Sequence, residues 1–530
     1  MKVFDNKIKI IDLFAGPGGL GEGFSAYKTA DGKNTFRIAL SVEKDHHAHQ
    51  TLTLRSFYQQ FEADSVPDEY YKYFSNADEP EAKKRDRLFN QYPNAARAAT
   101  EKAVMAELGK VDIRIIRDQI NMALDGRSEF VLIGGPPCQP YSIIGRSRNV
   151  GNPKYSKGED KRQTLYIEYL QVLADHRPAV FVMENVKGLL SATLDNQLIF
   201  ERILEDLRSP CEAILREGRL LADARRRTRY TIRSLVRTEN GDTEDLRRFI
   251  VKMERYGIPQ ARHRLIIVGI RNDLGIRHIS PLCEAKAVSA GEVLTELPKV
   301  RSGLSNEEDT FNAWCERIRQ IRALPFMSWQ ADFQESAIKN EINNALDSLS
   351  TAQLSRGGEF VSCRPIVNYR PDWFIDPKMD GVFNHATRSH ISSDLHRYLF
   401  AACYSAIRKR SPKLKDFPQE LLPNHKNAER SATDGTFDDR FHTQLPDRPA
   451  TTVTSHLAKD GHYFIHPDPC QCRSMTVREV ARLQTFPDNY YFCGPRSAQY
   501  NQVGNAVPPL LANQIAESIF RLLSECGLSE

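Results

Sequence analysis

Asp12-Leu-Phe-Ala-Gly-Pro-Gly-Gly-Leu-Gly-Glu-Gly-Phe24 is the stretch from which the fold can be read. The apolar run at residues 8–14 predicts a strand, the glycines behind it a tight turn, and the residues beyond them a helix. A glycine turn lets the backbone pass close to a ligand, and a helix N-terminus favours a carboxylate or phosphate there. The chain has no G-x-x-x-x-G-K-[ST], which argues against a phosphate-cradling loop of the NTPase kind.

Working outward, short apolar runs recur at residues 36–42, 130–133, 179–183, 230–236 and 265–270, with an amphipathic helical pattern at 164–176. Strands alternating with helices predict an α/β fold. The expected core is a doubly wound, mostly parallel sheet with ligands at the carboxyl ends of its strands. Two stretches break the rhythm. Residues 59–106 are polar, charged and Tyr-rich, and read as a helical insertion. From Arg271 to about Phe441 the chain reads as a second, smaller domain. Pattern returns at 475–486, a helix with Thr476 near its N-cap, and at an apolar final helix, 508–523. The expected layout is a catalytic domain at 1–275 with its insertion at about 59–110, a second domain at 276–460, and a returning segment at 461–530.

The length of 530 residues predicts two or more domains. A composition of 41% hydrophobic and 27% charged residues is that of a soluble globular protein. No run approaches the roughly 18 apolar residues of a membrane span, and the start lacks a signal-peptide layout. The expected location is therefore cytoplasmic, without membrane contact. Ten scattered cysteines with no CxxC predict free thiols rather than a disulfide framework. His46, His47 and His49 lack a partnering Cys or acid cluster, so no metal site is expected. Net charge is +5, and twelve Lys/Arg against seven Asp/Glu between Val361 and Arg430 account for all of it. A nucleic-acid backbone is a natural partner for such a window.

Gly134-Gly-Pro-Pro-Cys-Gln-Pro-Tyr-Ser142 is the most specific chemical motif. Its prolines stiffen a loop at a strand end, which presents the Cys138 thiol at low entropic cost. An unperturbed thiol has a pKa of about 8.5, so a nucleophilic role requires activation. Glu184 and Asn185 follow the run at 179–183 and can face the same cleft. Arg262 and Arg264 alternate in an extended segment and can clamp a phosphate or polarise a carbonyl. Glu43 stands where a carboxylate can take ribose hydroxyls.

The ordered set DLFAGPGGLGEGF, GGPPCQPYS, ENV, QARHRLIIVG, RPATTVT (448–454) and QVGNAVPPLLA (502–512) resembles the DNA cytosine-5 methyltransferase family. KDGHYFIHPD (459–468) and TVREVARLQTFPD strengthen the resemblance. It implies a class I S-adenosylmethionine-dependent methyltransferase fold whose second domain is a target-recognition domain. The cofactor implied is S-adenosyl-L-methionine, with S-adenosyl-L-homocysteine as product and no metal. The implied substrate is a cytosine flipped out of a specific double-stranded DNA sequence. Cys138 matches the family's nucleophile, Glu184 the acid at cytosine N3 and Asn185 its neighbour. Arg262 and Arg264 match the arginines near the cytosine carbonyl. Phe14, Ala15, Gly16, Pro17, Gly18, Gly19, Leu20, Glu43, Pro136, Asn505 and Val507 match the cofactor pocket. Gln139, Ser142, Arg364, Arg370, Arg388, Arg397 and Arg448 are candidate DNA contacts. The acid that meets the adenine amine is Asp112, Asp118 or Asp64. The resemblance also implies a monomer accompanied by a cognate restriction endonuclease or defence system. Relatives acting on tRNA share the catalytic motifs but carry a Cys-Phe-Thr segment, which does not occur here.

Overall fold

The structure, a computed structural model, describes residues 7–75, 79–137, 163–194, 197–223, 227–237, 245–276, 278–330, 332–349, 354–423 and 438–528. Its centre is a sheet of eight strands: β1 (Ile8–Leu13), β2 (Phe36–Glu43), β3 (Ala103–Met105), β4 (Phe130–Gly134), β5 (Val180–Val186), β6 (Tyr230–Arg233), β7 (Ile250–Lys252) and β8 (His263–Arg271). Their spatial order is β3-β2-β1-β4-β5-β8-β6, and β7 also pairs with β8. Strands β1 to β5 are mutually parallel. Strand β8 runs antiparallel to β5, β6 and β7. The strand order reverses between β1 and β4, and a crevice opens there at the carboxyl ends.

Two strands differ from the sequence reading. The insertion at 59–106 does not end as helix, because its last residues form β3 and extend the sheet edge. Strand β5 does not stop at Met183 but runs on through Glu184 and Asn185 to Val186, because β8 pairs along its whole length. Antiparallel register sets Ile266 opposite Glu184 and Arg264 opposite Val186. The ladder therefore carries acid and arginine to the same end of the sheet.

Helix α1 (Gly19–Ser25) follows the glycine turn and packs on α2 (His46–Tyr58) through a buried Arg55–Glu22 ion pair. The insertion forms α3 (Asp68–Ser75), α4 (Glu81–Gln91) and α5 (Pro93–Lys102). Its apolar core joins Phe57, Tyr70 and Leu88 to Met379, Phe383 and Tyr491, so it is wedged between α2 and the later chain. Tyr71 Oη and Asn489 Nδ2 both donate to Asp376 Oδ2, at 2.7 and 2.8 Å. Lys378 Nζ donates to the Val66 carbonyl at 2.5 Å.

In the second half, α6 (Phe311–Arg319), α7 (Phe333–Ser348) and α8 (Ser392–Arg408) share a core built on Trp314, Ile342 and Leu399. Another cluster unites Ala290, Val293 and Phe374 with Met475, Val480, Phe486 and Val503. Thr476 caps α9 (Val477–Leu483) by accepting from the Glu479 N–H, with the reciprocal capping box present. Two more helices, α10 (Arg496–Asn505) and α11 (Pro509–Glu525), return the chain to the first strand's neighbourhood. Helix α1 lies against the returning segment so closely that a Cβ on Gly19 would sit 2.2 Å from the Val507 carbonyl oxygen. Only glycine permits that approach. No helix among the described residues is long and apolar enough to cross a membrane.

Candidate active site

A cavity of about 740 Å³ fills the crevice at the carboxyl ends of the central strands. Phe14, Ala15, Gly16, Pro17, Gly19 and Leu20 line it from the glycine turn, and Asn505 and Val507 from the returning segment. Gly18 is not in the lining; its φ of +95° makes the turn that precedes α1. Glu43 closes one side. Its Oε2 accepts from the Gly16 N–H at 2.8 Å and its Oε1 from the Asp45 N–H at 2.7 Å. The carboxylate thus fastens the turn to the end of β2 while facing the cavity.

Asp12 forms the floor. It is 1% exposed, and neither carboxylate oxygen has a hydrogen-bond partner. Burial pushes its pKa well above the usual carboxylate range, and the Glu43 charge adds to the shift. An unpartnered buried acid is costly. Facing a cavity, it suits a cationic ligand.

At the opposite end, Glu184 Oε1 lies 3.1 Å from Arg264 Nε, with both side chains about 15% exposed. Asn185 Nδ2 donates to the Pro136 carbonyl at 3.1 Å, which secures the loop leaving β4. A Cβ on Gly135 would stand 3.1 Å from Glu184 Oε2, so this loop passes directly over the acid. Gly135, Pro136 and Pro137 line the cavity. Cys138 follows Pro137 in sequence; with Gln139 and Ser142 it lies outside the described residues.

Arg262 also borders the cavity but is 1% exposed. Its Nη1 donates to the carbonyls of Val453 at 2.7 Å and Gly504 at 3.3 Å. Burial lowers its pKa well below the usual value; Arg264 acts in the same direction and Glu184 opposes it. Gln260, fully buried, accepts from the Val453 N–H at 2.7 Å and donates to Gln484 Oε1 at 3.0 Å. The QARHR segment thereby stitches the returning chain to the sheet.

Several of the expected residues stand elsewhere. Asp112, Asp118 and Asp64 are absent from the cavity wall. Asp112 caps a helix and binds Arg114 instead. The acid that does line the wall beyond β3 is Glu107, held by Lys110 at 2.7 Å. Reading 59–106 as uniformly helical concealed the strand that delivers it. Arg397 is 8% exposed and gives its guanidinium to the Leu421 carbonyl at 2.7 Å and to Asp394 at 2.7 Å. Arg388 donates to the carbonyls of Leu457 at 2.6 Å and Lys459 at 2.9 Å. Both give donors to main-chain carbonyls within the protein. Arg370 and Arg448 are exposed but paired with Asp372 and Asp447. Arg364 is exposed, with no ion pair or hydrogen bond among the described residues. Sequence reading also missed Asp12, Lys44, Thr454, Ser455 and His456, all in the cavity wall. Asp12 was readable as the acid that starts the glycine motif; the others depend on chain folding.

Glycine turn, strand-end acid and switch-point cavity fit the class I S-adenosylmethionine-dependent methyltransferase fold. The C-5 cytosine-specific DNA methylase family matches residues 95–210 and 246–521. The chain is 30% identical over 96% of its length to the type II methyltransferase M.Bpa9945I of Bacillus paralicheniformis, and spans 98% of that protein. It is 25% identical to the type II methyltransferase M.AgeI of Thalassovita gelatinovora, over 97% of this chain and 99% of that one. With the DNA (cytosine-5-)-methyltransferase M.ApeKI of Aeropyrum pernix it shares 27% identity, over 76% and 83% of the two chains. The chain belongs to the C-5 cytosine-specific DNA methylase family and is a DNA (cytosine-5-)-methyltransferase.

Proposed function

We propose that this enzyme methylates a cytosine flipped out of a specific duplex sequence, through a covalent bond from Cys138 to cytosine C6. One observation carries the reading: a single cavity joins the glycine turn to Glu184 and Arg264, and the loop leading to Cys138 forms part of its wall. When bound, S-adenosylmethionine supplies an electrophilic methyl group. Its cationic part suits the unpartnered Asp12, its ribose Glu43, and its adenine amine Glu107.

Flipping costs a few kcal/mol and brings C6 within reach of sulfur. The Cys138 thiolate adds to C6, and the electron pair of the C5–C6 double bond makes C5 nucleophilic. Glu184 donates a proton toward N3 as the ring takes up charge, and Arg264 holds the carboxyl group in place. C5 takes the methyl group as the donor's sulfur–methyl bond breaks, then gives its proton to a base, and the N3 proton returns to Glu184. The sulfur leaves as thiolate, and the double bond is restored. Arg262 acts on the wall rather than the base, pinning Val453 and Gly504.

The interval 276–460 is read as the target-recognition domain, on the position of its basic window and its separate helical core. A cognate endonuclease and a monomeric state belong to the same reading.

Labelled methyl transfer to duplex DNA and to tRNA, offered in parallel, tests the substrate; transfer to tRNA alone would overturn it. Cys138→Ala is expected to abolish transfer while S-adenosylmethionine still binds. Retained turnover in that variant would remove the covalent route. Bisulfite sequencing of DNA from expressing cells reads out the target sequence.

A further inference from the structure

Three arginines far apart in sequence converge beside the cavity: Arg356, Arg388 and Arg496. Arg388 lies 4.3 Å over the ring of Tyr500, one turn beyond Arg496 on α10. Arg356 Nη2 donates to the Thr387 carbonyl at 3.2 Å, immediately before Arg388. Arg356 and Arg388 each leave a buried Nε without a hydrogen-bond partner, and so does Arg496.

The three are not equally committed. Arg356 is paired with Asp309 at 2.8 Å, and Arg388 is spent on main-chain carbonyls. Arg496, which is partly buried, makes no hydrogen bond or ion pair among the described residues. The nearby carboxylate Glu359 is already engaged, its Oε2 accepting from Asn384 at 2.9 Å and Gln499 at 3.1 Å. Burial lowers the Arg496 pKa; Tyr500 opposes this, Arg388 and Arg356 lower it further, and the Glu359 charge raises it. His390 beside them stays neutral, its pKa lowered to about 3 by burial, then by His462 and the same arginines. The cluster therefore holds more positive charge than its own acids answer.

Position gives this charge a use. Arg496 is the first residue of a ten-residue helix whose N-cap, Pro495, provides no side-chain cap. The Ala498 and Gln499 N–H groups donate to the Pro495 carbonyl at 2.8 and 3.1 Å, which leaves those of Arg496 and Ser497 for an anion. Ala498, Asn501 and Asn505 of the same helix line the cavity. The carbonyls that hold Arg388 directly follow His456, another lining residue.

We propose that Arg496, with the first turn of α10 and the field of Arg388 and Arg356, binds a phosphodiester of the DNA backbone flanking the flipped cytosine. The proposal rests on the reading that duplex DNA is the substrate. A guanidinium fork suits a phosphate, and a backbone contact positions the duplex without reading its sequence.

Arg496→Gln tests it by duplex-binding anisotropy across a salt series. Affinity is expected to fall about tenfold, alike for duplexes with and without the target, and the slope of log K against log[salt] to become shallower by about 0.9. S-adenosylmethionine affinity should be unchanged by calorimetry. Unchanged affinity and slope would overturn the site. Should Arg496→Gln fail to fold, Arg496→Lys keeps the charge but loses the fork. It should preserve the slope and weaken binding two- to fivefold, and wild-type affinity in that variant would equally overturn the site. Failure of the wild-type enzyme to bind any duplex would instead sink the DNA reading itself.

Discussion

At the floor of the cavity Asp12 is buried with no partner, whereas along 473–488 every buried acid is answered. There Arg473 meets Glu479 at 2.6 Å and Arg482 meets Asp488 at 2.7 Å, with all four side chains at most 1% exposed. Arg482 also donates to the carbonyls of Val293 at 2.9 Å and Ile366 at 3.1 Å. Both regions place ionisable groups in a low-dielectric interior. Pairing makes the second a brace between the two halves of the chain. The unpaired acid stores a penalty that a cationic ligand can relieve.

The largest test of this contrast is Arg473→Met, which strands Glu479. Loss of about 3–5 kcal/mol of stability is expected, read by denaturant unfolding. A loss under 1 kcal/mol would show that the brace carries nothing.

Asp12→Asn should behave in the opposite way. Its native pKa is raised, so the folded state holds the proton more tightly than the unfolded state, and stability falls as pH rises above about 4. Removing the charge should therefore raise Tm at pH 7 and leave it unchanged near pH 3. Affinity for S-adenosylmethionine should drop about tenfold or more as the cation loses its partner. A lower Tm with intact affinity would mean that Asp12 serves the fold.

A smaller, graded effect involves the histidines around the brace. His385 is held neutral between the Thr476 hydroxyl and the Pro298 carbonyl, and burial lowers its pKa to about 4. His466 is lowered to about 4, and His390 to about 3. The unfolded chain protonates these rings below about pH 6.5 and the folded chain does not. Stability should decline as pH falls from 6.5 toward 4, and His385→Gln should flatten that part of the Tm–pH curve. An unchanged curve would remove His385 from the acid response.

Short-range pattern made one part of this molecule legible. The glycine turn and the strand–acid pairs at Glu43 and Glu184 are contiguous motifs, and most of the residues expected in the cofactor pocket line one cavity. The arginines were not legible in the same way. Charge counting marked 361–430 as a DNA face, but Arg388 and Arg397 turn inward to carbonyls scores of residues away or across a helix. Arg496, outside that window, is the one left without a partner among those in its cluster.

The sequence by itself determined the doubly wound sheet, the cofactor turn and the reaction class, because each is encoded by residues adjacent along the chain. Tertiary structure alone decided which charges are spent and which are free. It placed Glu107 rather than Asp112 at the wall, turned β8 antiparallel so that Arg264 meets Glu184, and buried Arg262 beneath Val453 and Gly504. The physical reason is that hydrogen-bond partners of a buried ion are supplied by whichever backbone folds against it, and sequence distance places no limit on that choice.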